Sequence, residues 1–142
     1  MVKSDPNFYE GMVFLIPYNN IHILAQVGRG SDLGVFDQTY EDLNSFRREH
    51  LEGIPIFRVH FGAVSLKKFG WTPLGEYPLG KAMSESAIYY HQAVGDDRCF
   101  IVQHGVEDVE VDCDEVKQFE PLATWSHQHI VKRFEEYSEK MR

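Results

Sequence analysis

Acidic side chains are concentrated in residues 102–121. This stretch has seven Asp or Glu residues against one lysine, and it carries six of the eight excess negative charges of the chain. The acids are Glu107, Asp108, Glu110, Asp112, Asp114, Glu115 and Glu120. Carboxylates at this density could bind a basic partner or, as a pair, transfer protons in glycoside hydrolysis.

The spacing of these acids predicts how they are displayed. Asp108, Glu110 and Asp112 alternate with Val109 and Val111, which is the period of a β-strand. We expect the acids on one face and the valines in the core. The face is interpreted either as a solvated surface or as an acidic docking surface for a basic partner, in which the contributing residues are Glu107, Asp108, Glu110, Asp112, Asp114 and Glu115. A glycosidase pair is the weakest interpretation, because no aromatic sugar platform accompanies it in the sequence.

Residues suited to covalent or phosphate chemistry are not arranged for it. Gly28-Arg29-Gly30 lacks the further glycines of a dinucleotide site, and no G-K-[ST] or G-x-S-x-G motif is present. Neither Cys99 nor Cys113 has the basic neighbours that favour a thiolate. We therefore expect no catalytic residue, no cofactor and no enzymatic activity.

The histidines suggest a metal site only at first sight. His127 and His129 lie two residues apart, so on a helix they point about 200° from each other. His104 and the two cysteines have no ligand spacing of the H-E-x-x-H or C-x-x-C kind. The sequence predicts no bound metal.

Two tryptophans and two arginines form the alternative candidate for a binding surface. Trp71 and Trp125 are of a type that usually packs in or near a core. Arg58 and Arg133 flank apolar positions, where the stem packs and the guanidinium reaches water. The same groups could anchor a partner if the acidic segment does not.

The charge and hydropathy of the chain limit the classes of partner that it could bind. The chain has 142 residues and a formal net charge of −8, with no basic cluster, which argues against nucleic acid and anionic membranes. The longest apolar run, Val13 to Ile16, is too short to span a membrane, and the N-terminus lacks the apolar core of a signal peptide. We expect a cytoplasmic protein, with Cys99 and Cys113 as reduced thiols.

Patterning predicts strands first and a helix last. The predicted strands are Met12 to Pro17, Ile21 to Val27, a short one around Val35 and Phe36, Ile54 to Phe61, Trp71 to Leu74, Cys99 to Gln103 and Val106 to Val111. The second of these alternates in a way that suits a half-buried strand. Residues 38–51 are interpreted as a weak helix or a long loop, and residues 84–94 are ambiguous.

The C-terminal segment predicts an amphipathic helix over His127 to Lys140, capped by Ser126. Its apolar face consists of Ile130, Phe134, Tyr137 and Met141. The predicted fold is a single α+β domain over residues 1–142: a mainly antiparallel, strongly twisted sheet or partial barrel with this helix packed on it.

The order of motifs resembles the immunity protein 26 family of bacterial polymorphic toxin systems. The opening Gly11-Met12-Val13-Phe14-Leu15-Ile16-Pro17 is similar to the family's G-[DE]-[VI]-F-x-I-P, with Met12 in place of the acid. A middle signature around Trp71 and Gly75 and a last one around Trp125, His129 and Arg133 follow in the same order as in the family. The positions that carry the resemblance are Gly11, Phe14, Pro17, Trp71, Gly75, Trp125, His129 and Arg133.

The resemblance implies a small cytoplasmic antidote that neutralises a cognate toxin by occluding it, without catalytic residues or cofactor. A nuclease toxin, with a basic active site, would fit the acidic segment. Two other classes remain open: a β-rich module that binds a peptide or ligand through its aromatic residues, and a hydrolase with a histidine and carboxylate site.

Overall fold

The computed structural model of the chain describes residues 8–61, 66, 69–92, 95 and 97–141. The strands are β1 (Met12–Tyr18), β2 (Ile21–Val27), β3 (Asp32–Tyr40), β4 (Phe57–Phe61), β5 (Thr72–Glu76), β6 (Ile88–Gln92), β7 (Cys99–Gln103), β8 (Val106–Val111), β9 (Glu120–Pro121) and β10 (Thr124–Trp125). The α-helices are α1 (Lys81–Ser84) and α2 (His127–Lys140). The predicted α+β class, mainly antiparallel with a C-terminal helix, is confirmed.

Among the described residues, the strands form two sheets instead of the one twisted sheet or partial barrel that we predicted. The first has the order β10-β4-β3-β2-β1-β5, and the second has the order β8-β7-β6-β9. All neighbouring strands are antiparallel except β10 with β4 and β6 with β9. Both predicted hairpins are present. In the first, Asn19 adopts φ 53° in the two-residue turn, a left-handed conformation that asparagine tolerates.

The first sheet is buried on both faces, so the expectation of a half-buried β2 is wrong. Ile23, Ala25 and Val27 belong to the core under α2, whereas Leu24 packs in a second core on the opposite face. That second core is closed by Leu51 from the segment after β3 and by Met83 from α1. Two covering layers therefore bury both sets of alternating side chains.

Helix α2 matches its predicted bounds, and Ser126 is its N-cap residue. Ile130 and Phe134 are buried in the first core, but Met141 is 68% exposed. The buried side chains of the helix therefore lie in its first eight residues, His127 to Phe134.

The two segments that the sequence left undecided are now assigned. Residues 38–40 complete β3, and two short 3-10 turns follow at Leu43–Ser45 and Arg48–Glu52. Residues 84–92 contain the end of α1 and the strand β6, and residues 93–94 of this segment lie outside the described residues. Residues 38–51 therefore do not form the weak α-helix that we considered, and Tyr40 and Leu51 pack into the second core from strand and 3-10 backbone.

Candidate functional site

The predicted docking residues come together on one outer part of the second sheet. We name this surface the acidic edge: β8 together with the 3-10 turn Cys113–Val116 and Asp112 between them. It displays Glu107, Asp108, Glu110, Asp112, Asp114 and Glu115, and every one of these side chains is exposed. β8 is the end strand of its sheet and pairs with β7 alone among the described strands.

The valines of β8 correct the sequence interpretation. Val109 is 53% exposed and Val106 is 56% exposed, while Val111 is half-buried. Alternation correctly predicted the strand, but the prediction that Val109 enters the core is wrong, because burial also needs another layer over that face. The acidic edge therefore combines carboxylates with exposed apolar side chains.

Local bonds hold the turn that continues the acidic edge. The side chain of Asp112 accepts a hydrogen bond from the backbone N–H of Asp114 at 3.2 Å. Val116 is buried and anchors the turn on the protein. An ion pair joins Asp114 to Lys117 at 3.9 Å, but both side chains are more than 80% exposed, so it contributes little stability.

A disulfide bond joins Cys99 to Cys113, which contradicts the expectation of reduced thiols. The bond links the first residue of β7 to the turn after β8 and encloses the β7–β8 hairpin. Counting cysteines could not foresee it, because the pairing depends on the hairpin bringing the two ends together. The disulfide thus limits the movement of the turn relative to the strands.

Of the alternative binding residues, Arg58 and Arg133 lie elsewhere and line a groove of about 440 Å³ between the two sheets. Phe57, Ile88, Glu120 and Arg133 are among its lining residues. The guanidinium of Arg133 lies 4.5 Å from the ring centre of Phe57 and 5.2 Å from that of Trp125, and it forms an ion pair with Glu120. Its charge is thereby already engaged within the protein.

A buried carboxylate connects the sheets beneath this groove. Asp32 at the start of β3 is 1% exposed and accepts a hydrogen bond from the Tyr89 hydroxyl of β6 at 2.5 Å. Arg58 of β4 donates to the same carboxylate from Nε at 2.6 Å. Its Nη1 donates to the carbonyl of Ala82 at 3.2 Å. This cluster of Asp32, Arg58 and Tyr89 is the polar link between the two sheets.

Burial governs the protonation of this link. Desolvation raises the pKa of Asp32 above its usual 3.8, although the Tyr89 hydroxyl and Arg58 act in the opposite direction. Burial and the adjacent carboxylate raise the pKa of Tyr89, so its hydroxyl stays protonated and donates. Sequence reasoning singled out Arg58 but missed Asp32, because an aspartate near glycines is typical of a loop and nothing local indicates burial.

The family-motif residues divide into two groups. Gly11, Phe14, Pro17, Trp71 and Gly75 belong to the first sheet, its turns or the core. Gly11 at φ 93° directs its carbonyl to the Gln26 amide at 3.2 Å, and Gly75 at φ 117° lies at an irregularity in the β1–β5 pairing. Only glycine adopts such angles without strain, so these positions are explained by the fold.

Trp71 is a core residue and carries no exposed binding surface. It is 6% exposed and stacks on Phe61 with 4.5 Å between ring centres. Its indole N–H donates to His127 Nδ1 at 2.9 Å, and Phe69 stacks on that imidazole with 4.6 Å between ring centres. Burial lowers the pKa of His127, which keeps the imidazole neutral and able to accept.

The second group is Trp125, His129 and Arg133, which the structure brings together at the start of α2. His129 meets the Trp125 ring edge to face at 5.9 Å, and Arg133 covers the same ring. His127 is directed instead towards Trp71, so the two helical histidines do not share a site, as expected. Within the described part of the chain, no group of three or more His, Cys, Asp or Glu side chains is placed to hold a metal ion.

None of the helices in the described ranges has the length and apolar character needed to cross a membrane. Comparison of the chain with protein-family models, with curated proteins and with solved structures gave no match. The resemblance to the immunity protein 26 family thus stays a hypothesis based on the motifs.

Proposed function

We propose that this protein is an immunity protein that neutralises a cognate toxin by binding it through the acidic edge. The observation that carries the proposal is the exposure of all six acids on one edge strand and the turn after it. A surface of one charge sign accelerates encounter with an oppositely charged protein and rejects partners of like charge. A toxin with a basic active site, such as a nuclease, suits this surface.

Neutralisation by occlusion requires no chemistry from the antidote. An interface of ordinary size buries about 800 Å² on each partner, which is enough to cover an active site. We accordingly propose that the protein is not an enzyme and takes no cofactor. The motif resemblance supports the same function independently of the acidic edge.

Survival of cells provides the first test. The product of the adjacent gene is expressed in a host with and without this protein, and growth is measured. We expect the adjacent product to be toxic alone and harmless in the presence of this protein. Equal growth inhibition in the cultures with and without this protein would refute the proposed function.

Association kinetics with that toxin test the role of the acidic edge. We expect the Glu110→Lys, Asp112→Lys double variant to associate at least about ten-fold more slowly, because exposed charges act mainly on the encounter rate. The matched control places the same charge change on α2, with Glu136→Lys and Glu139→Lys. Raising the salt from 0.05 to 0.5 M shortens the screening length from about 14 to about 4 Å and should slow the unaltered protein similarly.

A second candidate function is suggested by the groove between the sheets. Its lining combines Phe57 and Ile88 with Arg133, a mixture of apolar wall and polar groups that is typical of peptide or ligand sites. Peptide or ligand binding that is lost on Ile88→Glu, and that is unaffected by Glu110→Lys with Asp112→Lys, would favour this candidate.

For the hydrolase alternative, stoichiometric zinc retained after dialysis against a mild chelator would be the supporting result.

A further inference from the structure

The open edges of the two sheets are not equivalent. On β5, Pro73 has no N–H to donate and Gly75 lies at an irregular position, so that edge is interrupted. β9 and β10 have two residues each. β8 has six residues without proline or glycine, so each of them has a backbone N–H, although its register against β7 shifts between Val106 and Val109. Among the described strands, β8 is therefore the longest open edge, and it lacks the proline that removes a donor from β5.

The side chains of β8 specify which strand could pair with this edge. A second copy of the chain, paired through the same strand, would place Glu107, Asp108 and Glu110 close to their own counterparts, and like charges on paired strands are destabilising. A strand with lysine or arginine would instead place opposite charges beside these acids. Apolar residues between its basic ones could cover Val106 and Val109, which are now largely in solvent.

We propose that the partner adds an extended basic strand to β8, with its backbone hydrogen-bonded to the open edge and its lysines or arginines beside the acids. The identity of the partner as a toxin rests on the proposed function above, whereas the mode of binding rests on the edge itself. Backbone hydrogen bonds then supply affinity and the acids supply selectivity, as in other cases of strand addition.

Two synthetic peptides test the mode of binding. The probe is a capped, fluorescently labelled peptide of four Lys-Val repeats, and the control has the same sequence with every valine in the D configuration. Charge and composition are identical, but in an extended chain the D-valines point to the same face as the lysines and oppose the right-handed twist of an L-strand, so the control does not match the edge of β8. By fluorescence anisotropy we expect the all-L peptide to bind at least about ten-fold more tightly, since lost strand hydrogen bonds of about 1.4 kcal/mol in total already change affinity ten-fold.

Two further measurements locate the binding. Hydrogen exchange should show protection at the amides of residues 106–111 with the all-L peptide and not with the control. The double variant Asp108→Asn, Glu110→Gln should bind the all-L peptide more weakly. The matched variant on α2, with Glu136 and Glu139 changed to glutamine, should bind it as the unaltered protein does.

The outcomes separate this proposal from the proposed function. Equal, salt-dependent binding of both peptides would refute strand addition and leave acidic docking intact. Binding of neither peptide would also refute strand addition. Self-association of the Asp108→Asn, Glu110→Gln variant would then indicate that the acids prevent two copies of the chain from pairing through β8. Strand-specific binding together with failure of the growth test would refute only the identification of the partner as a toxin.

Discussion

The polar link between the sheets gives the sharpest prediction for stability. Tyr89→Phe removes the hydroxyl group of this side chain and leaves its aromatic ring in place. That hydroxyl donates to Asp32 at 2.5 Å, and Asp32 is 1% exposed, so water cannot easily take its place. A hydrogen bond to a charged group contributes about 1.5–3 kcal/mol, against about 1 kcal/mol for a neutral pair. We therefore expect a loss of about 2 kcal/mol in the free energy of unfolding at pH 7.5.

The loss should depend on pH in a definite direction. The folded-state pKa of Asp32 is already raised by burial, and a carboxyl of this kind contributes stability that is fully present below pH 3.8 and lost as pH rises through its folded pKa. Tyr89 limits that loss by lowering the pKa of Asp32. Without the hydroxyl, the pKa of Asp32 rises further, so the variant should lose more stability with rising pH than the unaltered protein.

Urea denaturation at several pH values between 4 and 7.5 measures this difference. Tyr90→Phe is the matched control, because Tyr90 is the next residue on β6 and its side chain points to the opposite face of the strand. The reasoning is refuted if the two variants lose equal stability at pH 7.5, or if the loss in Tyr89→Phe does not shrink towards pH 4.

Three further predictions concern α2 and the disulfide. Phe134→Ala should cost about 3 kcal/mol or more, because Phe134 is a buried core side chain, whereas Met141→Ala at the exposed helix end should change stability by less than about 0.5 kcal/mol in the same urea titration. Cys113→Ser, or reduction of the unaltered protein, should cost about 3 kcal/mol, as expected for closing a loop of roughly 15 residues; indifference of the melting temperature to reductant would contradict the pairing. Burial lowers the pKa of His127 below 6.5, so its contribution to stability is present above that pH and is lost as pH falls through the lowered value. His127→Gln should therefore reduce the loss of stability as pH falls below 6.5, measured by urea titration at a series of pH values; an unchanged pH dependence would contradict this assignment.

The local elements of this protein could be predicted from the sequence because each depends on neighbours along the chain. The spacing of Ile130, Phe134 and Tyr137 is the period of a helix, and the structure places α2 within the predicted bounds. Alternation likewise predicted β8, and the asparagine turn predicted the first hairpin. The concentration of acids in one exposed segment also followed from the sequence, since carboxylates without partners stay in water.

Tertiary structure decided which side chains are covered and which distant residues meet. Val109 has the pattern of a core residue and is 53% exposed, because β8 is an edge strand and no described residues form a layer over that face. Leu24 has the pattern of an outward residue and is buried, because Met83 and Leu51 cover the second face of the first sheet. The pairing of Asp32 with Tyr89 depends on a contact between residues 57 positions apart, and the disulfide depends on the β7–β8 hairpin bringing its two ends together. Periodicity describes the direction of a side chain from its own backbone, but burial is set by whatever element packs on that side, and this is determined only when the whole chain has folded.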